Sequence, residues 1–256
     1  MNIKVNHKPL ITIVGPTASG KTDLAIKIAK KFNGVVISAD SRQIYKNIPI
    51  GTNQPAGKIG RFLGEPVLYV KKIPHFFIGI FNLNKKFNVA LYQKSVYKLL
   101  PKIWAKGLVP IICGGTGLYI SAVIQNYQFS KNKSALKQGK ALDSLILGLN
   151  PDRKKNYSII NKRVDIMVKQ GLLNEVRWLQ KNYPQSPALA TIGYREFLNL
   201  KSPAEIAHAI EKVKQHSRNF AKRQMTWFRK MPEIHWVKPT STDKLVKDYL
   251  KPQSHN

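Results

Sequence analysis

The residues Gly15-Pro16-Thr17-Ala18-Ser19-Gly20-Lys21-Thr22 satisfy G-x-x-x-x-G-K-[ST], the spacing that wraps a backbone around phosphate oxygens. The glycines let successive N–H groups turn inward, and the start of a following helix adds partial positive charge. Lys21 then reaches the outer phosphate oxygens, and Thr22 offers a hydroxyl to Mg²⁺. A glycine-rich turn with an incidental lysine is the bland alternative. The flanks argue against it: apolar Leu10-Ile11-Thr12-Ile13-Val14 comes before, and helix-patterned Asp23 to Phe32 after. A second candidate is Asp40, in Asp40-Ser41-Arg42-Gln43-Ile44-Tyr45 directly after apolar Val35 to Ser38. Beside a phosphate loop, such a carboxylate ligates Mg²⁺ through water, accepts a proton, or caps a helix; local spacing leaves all three open. A third is Gly114-Gly115-Thr116-Gly117-Leu118-Tyr119, which either makes a tight turn or lets a ligand approach the backbone.

These groups are distant in sequence, so a scaffold must bring them together. Strands at Ile11 to Val14, Val35 to Ser38 and Val109 to Cys113, with helices from Lys21 to Phe32 and about Val89 to Lys106, predict an α/β fold. A phosphate-loop NTPase-like parallel sheet flanked by helices meets the requirement, because all its strands end at one edge and the segments that follow them become neighbours. Residues 130–140 turn rich in Lys, Ser, Asn and Gln and read as a solvated loop; Leu142 to Leu149 read as a further strand. The rest is mostly helical, with Pro151 near a first helical position, Gly171 as a C-cap, and Ser202-Pro203-Ala204-Glu205 as a capping box opening a helix to about Lys230.

Composition narrows the partners. Among 256 residues, 43 Lys and Arg against 13 Asp and Glu give a net charge of +30, a field that attracts polyanions such as nucleic acid. A lysine-rich proteome would produce the same total, so position must decide. The helix opening at Ser202 supplies a position: Arg218, Lys222, Arg223, Arg229 and Lys230 interleave with Phe220, Trp227 and Phe228. Basic groups hold phosphates while aromatic planes stack unpaired bases, which suits single-stranded RNA loops; an amphipathic helix with its aromatics in the core gives the same pattern. One cysteine, Cys113, excludes an intramolecular disulfide and reads as a buried strand residue. The six histidines show no metal-ligand spacing, and no apolar run reaches membrane-spanning length. A polar start from Asn2 to Lys8 suggests a cytoplasmic protein.

Taken together, the motifs make the chain similar to the tRNA dimethylallyltransferase family. Beyond the three segments above, the resemblance rests on Gly51-Thr52, Arg163-Val164-Asp165-Ile166-Met167, Gly171-Leu172-Leu173-Asn174-Glu175-Val176, Gly193-Tyr194-Arg195-Glu196 and Lys222-Arg223-Gln224-Met225-Thr226-Trp227-Phe228-Arg229. It implies transfer of a dimethylallyl group from dimethylallyl diphosphate to N6 of the adenosine 3′ of the tRNA anticodon, with Mg²⁺ as cofactor. The loop from Gly15 to Thr22 would then hold the diphosphate and could also take ATP, with Thr22 on the metal and Asp40 joining through water. The resemblance makes Asp40 the proton acceptor, puts Lys21 and Arg163 near the diphosphate, and puts Thr116 near the RNA. It assigns tRNA contacts to Asp40, Ser41, Arg42, Gln43, Gly193, Tyr194, Arg195, Lys222, Arg223, Gln224, Trp227 and Arg229. A small-molecule kinase, an adenylate isopentenyltransferase and a weakly active tRNA-binding remnant are the competing readings.

The chain departs from the family pattern in three places. Gln54 replaces a lysine after Gly51-Thr52-Asn53, and Pro74-His75-Phe76-Phe77-Ile78-Gly79 stands for Pro-His-His-Leu-Ile-Asp. The helical insertion is missing, with residues 130–140 in its place. The resulting organisation is a core at 1–129, that loop, a core remainder with a helical tRNA-binding part at 141–238, and a C-terminal tail at 239–256, acting as a monomer.

Overall fold

A computed structural model describes residues 8–129, 137–138, 142–200 and 202–251. β1 (Ile11–Val14) runs through the phosphate loop into α1 (Lys21–Lys31), and β2 (Gly34–Ser38) follows. A hairpin pair, β3 (Lys58–Phe62), β4 (Glu65–Val70) and β5 (Ile73–Phe76), leads to α2 (Val89–Trp104), β6 (Val109–Gly114) and α3 (Gly117–Ile124). The short β7 (Tyr127–Gln128) and β8 (Lys137–Gln138) pair antiparallel, and β9 (Leu145–Gly148) returns to the main sheet. Then come α4 (Arg153–Lys169), α5 (Leu172–Asn182), α6 (Pro203–Phe228), β10 (Ile234–Trp236) and α7 (Thr242–Leu250). Apart from Lys137 and Gln138, the loop expected at residues 130–140 lies outside the described residues.

The main sheet has the order β10-β9-β1-β6-β2-β5-β4-β3 among the described residues. Its central strands are apolar and buried at every position, as expected for strands covered on both faces. Val14 pairs with Gly114 on one side and Gly148 on the other, and Ser38 pairs with Cys113. That register brings the loops after β1, β2, β6 and β9 to a single edge. One core layer packs α2, α3 and Phe228 against the sheet; the other packs α1 and Val246 of α7. A third apolar cluster joins α4, α5 and α6 to the 44–50 and 188–197 segments.

The sheet is mixed and not wholly parallel. β3, β4 and β5 pair antiparallel. Two-residue turns make this possible: Leu63-Gly64 (φ 53°, 81°) and Lys71-Lys72 (φ 48°, 71°) both hold positive φ, as tight hairpin turns require. Asp152, not Pro151, begins the helical part: its carboxylate accepts from Lys155 N at 2.9 Å, which sets Pro151 one residue outside α4. The Ser202–Glu205 box forms as expected, with both reciprocal bonds present and Pro203 in the first turn. Gly171 takes φ 99° between α4 and α5. The stretch from 239 is no free tail over its described length. Val246 is fully buried, Asp243 bonds Lys27 and Lys31, and the Tyr249 hydroxyl accepts from Leu10 N.

Candidate active site

The phosphate loop curls because Gly15 (φ 150°), Ala18 (φ 63°) and Gly20 (φ 85°) hold positive φ, and α1 begins at Lys21. Burial lowers the Lys21 pKa to about 8, while Cys113 and Asp40 offset part of that effect. Its Nζ donates to Pro16 O at 2.6 Å. Arg163, on α4, reaches across to the loop and donates from Nη2 to Thr17 Oγ1 at 2.6 Å. Burial lowers its pKa, the Asp40 carboxylate opposes the shift, and its buried Nε has no partner among the described residues. Ser19 Oγ is likewise buried without a partner. A buried hydroxyl and a buried guanidinium N–H without protein partners suit a loop that binds an anion.

Asp40 stands at the end of the segment after β2. Its Oδ1 accepts from Arg42 N (2.8 Å) and Gln43 N (3.2 Å), capping a turn and not a helix, and Oδ2 stays outside that turn. Thr116 stitches this turn to the segment after β6: its Oγ1 accepts from Ser41 N at 3.1 Å, and its N donates to Ala39 O at 3.2 Å. None of Gly114, Gly115 and Gly117 has positive φ. A Cβ at Gly114 would strike the Ala39 backbone, one at Gly115 the Gln224 amide, and one at Gly117 the Trp227 ring. These glycines are small so that α6 and β2 can close against them.

A cavity of about 430 Å³ lies between these loops and α6. Thr17, Asp40, Thr116 and Arg163 line one side, while Arg195, Phe220, Arg223 and Trp227 line another. Ser41, Arg42, Gln43 and Gly193 also line it; Lys222 on α6 and Arg229 at its C-cap are exposed outside the lining, and Thr22 is exposed in the first turn of α1. Two expected RNA contacts do not face solvent. Tyr194 is fully buried, donating to Glu175 Oε1 at 2.7 Å, with burial first and that carboxylate second raising its pKa. Gln224 edges the cavity but is 6 % exposed, and both ends of its amide are bonded inside the protein. The aromatic residues of α6 divide: Phe228 joins the core, whereas Phe220 and Trp227 face the cavity.

Two carboxylates behind the site stood in the quoted motifs but were given no role. Glu175 accepts from Ile50 N (2.9 Å), Gly51 N (2.7 Å) and the Tyr194 hydroxyl, fixing the loop that lines the cavity at Gly51 to Asn53. Its signal was present: it falls on the buried stripe Leu172, Val176, Leu179, where a carboxylate must find donors. Glu196 accepts from Gly193 N (2.8 Å), Arg195 Nε (2.8 Å) and His216 Nδ1 (2.7 Å). Burial pushes its pKa up, but those bonds outweigh it and hold the group below its ordinary value. Gln54, the residue at the family's lysine position, donates to Gln43 O and Tyr45 O and ties the two loops together.

No group of three His, Cys, Asp or Glu that could hold a metal occurs among the described residues. The oxygens on hand, Thr22 Oγ1, Ser19 Oγ and Asp40, suit a hard ion that takes most of its ligands from a diphosphate and water. Such a set fits Mg²⁺.

An IPP transferase family model matches residues 43–142 and 127–231, and an isopentenyl transferase model matches residues 8–72. A tRNA dimethylallyltransferase of Staphylococcus epidermidis is 34 % identical over 295 positions, covering 89 % of this chain and 86 % of that protein. Its counterpart from Halothermothrix orenii is 33 % identical over 324 positions, covering 97 % and 96 %. The crystal structure of tRNA delta(2)-isopentenylpyrophosphate transferase from Staphylococcus epidermidis superposes with a TM-score of 0.77 at 31 % identity, over 94 % of this chain and 98 % of that one. Sequence, loop geometry and fold therefore agree, and the chain belongs to the tRNA dimethylallyltransferase family.

Proposed function

We propose that the protein transfers a dimethylallyl group from dimethylallyl diphosphate to N6 of the adenosine immediately 3′ of the anticodon in tRNA. The observation that carries this reading is one cavity lined by Asp40, Thr17 of the phosphate loop and Arg163 of α4 together with Phe220, Arg223 and Trp227 of α6, with Lys21 close enough to Asp40 and Arg163 to feel their charges. As the allylic C–O bond breaks, negative charge grows on the departing diphosphate, where Lys21, Arg163 and the loop amides stabilise it. The N6 nitrogen forms the new C–N bond and gives its proton to Asp40, leaving neutral product and free diphosphate. Thr22 would hold Mg²⁺, which when bound would supply further charge neutralisation on the leaving group. The adenine has to leave its stack to enter, at a cost of a few kcal/mol. Stacking on Trp227 and phosphate contacts from Lys222, Arg223 and Arg229 offset that cost.

The chain also reads as a shortened family member. The 295 and 324 aligned positions exceed its 256 residues, so both relatives carry segments opposite gaps here. With residues 130–140 standing in for a helical module, the grip on RNA falls mainly to α6. Mass spectrometry of nucleosides from tRNA incubated with the protein, Mg²⁺ and dimethylallyl diphosphate tests the activity. The expected product is N6-dimethylallyladenosine at a single tRNA position. Transfer to free AMP alone, or phosphoryl transfer from ATP, would replace this reading with an adenylate isopentenyltransferase or a kinase.

A further inference from the structure

Residues 222–224 are consecutive on α6, yet they do not share an environment. Lys222 and Arg223 are exposed, whereas Gln224 is buried. Its Oε1 accepts from Thr17 N at 2.8 Å and its Nε2 donates to Gly115 O at 2.9 Å. A backbone N–H on one side and a carbonyl on the other permit only that amide orientation. Gln224 is thus a strut from α6 into the start of the phosphate loop, braced against the segment after β6.

Thr17 is held from three directions. Besides Gln224 on its N–H, Asn156 Nδ2 donates to its carbonyl at 3.1 Å and Arg163 Nη2 donates to its hydroxyl at 2.6 Å. The Thr17 hydroxyl is in turn what anchors the Arg163 guanidinium, whose Nε is left buried without a partner. One chain of contacts therefore runs from Gln224 through Thr17 to the cation beside the diphosphate site. We propose that Gln224, although it edges the cavity, is a positioning residue for the diphosphate end of the site, acting through Thr17 and Arg163 with both ends of its amide spent inside the protein. This rests on the function proposed above, and it separates two neighbouring residues by substrate: Arg223 serves the RNA, Gln224 the diphosphate.

Steady-state kinetics of wild type, Gln224→Met and Arg223→Ala test the division. Met keeps the length and removes both hydrogen bonds. Loss of a buried bond of this kind is expected to raise the KM for dimethylallyl diphosphate about tenfold, with the KM for tRNA within about twofold of wild type. Arg223→Ala is expected to do the reverse. Calorimetric binding of Mg²⁺ and inorganic pyrophosphate, without RNA, should weaken in Gln224→Met by a comparable factor. Thr17→Val keeps the backbone bond but loses the hydroxyl, so its effect and that of Gln224→Met should not add if the route is shared.

A Gln224→Met enzyme that changes only the tRNA KM, or binds pyrophosphate as wild type does, overturns the proposal; additive effects with Thr17→Val overturn the route. If Gln224→Met does not fold, Gln224→Glu takes its place. It keeps the length and the acceptor for Thr17 N but sets a carboxylate against Gly115 O, and should raise the diphosphate KM while sparing that for tRNA. A wild-type protein that yields no prenylated tRNA defeats the function reading, whereas the pyrophosphate arm still judges Gln224.

Discussion

Lys21 is half-buried, and burial lowers its pKa. With its pKa lowered to about 8, the free enzyme holds the ammonium charged below that value and loses it above. Because kcat/KM reports free-enzyme ionisations, kcat/KM for dimethylallyl diphosphate should fall by about one log unit per pH unit above about pH 8. Lys21→Arg should move that limb out of the accessible range, since a guanidinium stays protonated. A flat wild-type profile to about pH 9.5 would remove Lys21 from the diphosphate site. Asp40 permits a cleaner substitution than most bases. In Asp40→Asn the side-chain carbonyl can still accept from Arg42 N and Gln43 N, so the turn survives while proton acceptance is lost. Single-turnover transfer should drop by roughly 10²- to 10⁴-fold. An unchanged rate with a strongly shifted Mg²⁺ requirement would make Asp40 a metal ligand instead.

Elements meet at this site through buried polar groups, and α5 gives the sharpest case. Glu175 holds two backbone N–H groups of the 50–51 loop and the Tyr194 hydroxyl, so Glu175→Ala strands the two half-buried N–H groups and leaves the Tyr194 hydroxyl only its longer bond to Ile48 O. Each such group costs about 1–3 kcal/mol when left unmade, though the costs do not simply add. A net loss of about 3 kcal/mol corresponds to a Tm lower by roughly 6–12 °C for a chain of this size. Thermal unfolding followed by circular dichroism checks the value, and a shift under about 2 °C would show that the loop is held by other means. The same logic explains the small residues after β6. Gly115 and Gly117 admit Gln224 and Trp227, so α6 docks on the sheet edge through close contact as well as apolar area.

Across the whole molecule, the net charge of +30 makes association with RNA electrostatic and salt-sensitive. Whether α6 is the surface that uses this charge can be measured. The Arg223→Ala, Arg229→Ala double variant should bind tRNA more weakly than wild type, with a log-log salt slope shallower by about 1.5 units, since each lost phosphate contact removes about 0.7 to 0.9. Equal affinity and equal slope would place the RNA surface elsewhere and assign the lysine excess to composition. A grip resting on phosphate contacts should also discriminate weakly among tRNAs, because those contacts carry position and little sequence information.

The phosphate loop, the strand ends around Asp40 and Gly114, and the Ser202 capping box were all legible in the chain. Each is a local device, in which spacing of a few residues fixes backbone dihedrals or satisfies nearby N–H groups. The β3–β5 hairpins were not legible, because the Lys71-Lys72 turn carries none of the Asn or Gly residues that announce such turns. Nor was the packing of α7, whose fully buried residues, Thr242 and Val246, are a short-range signal too weak to separate from a tail. Most of all, the family resemblance put Tyr194 and Gln224 among the RNA contacts, whereas folding buries both side chains. A sequence shows that a polar side chain at a core position needs a partner; only the packed fold supplies one, here from residues 19 positions away for Tyr194 and 207 for Gln224.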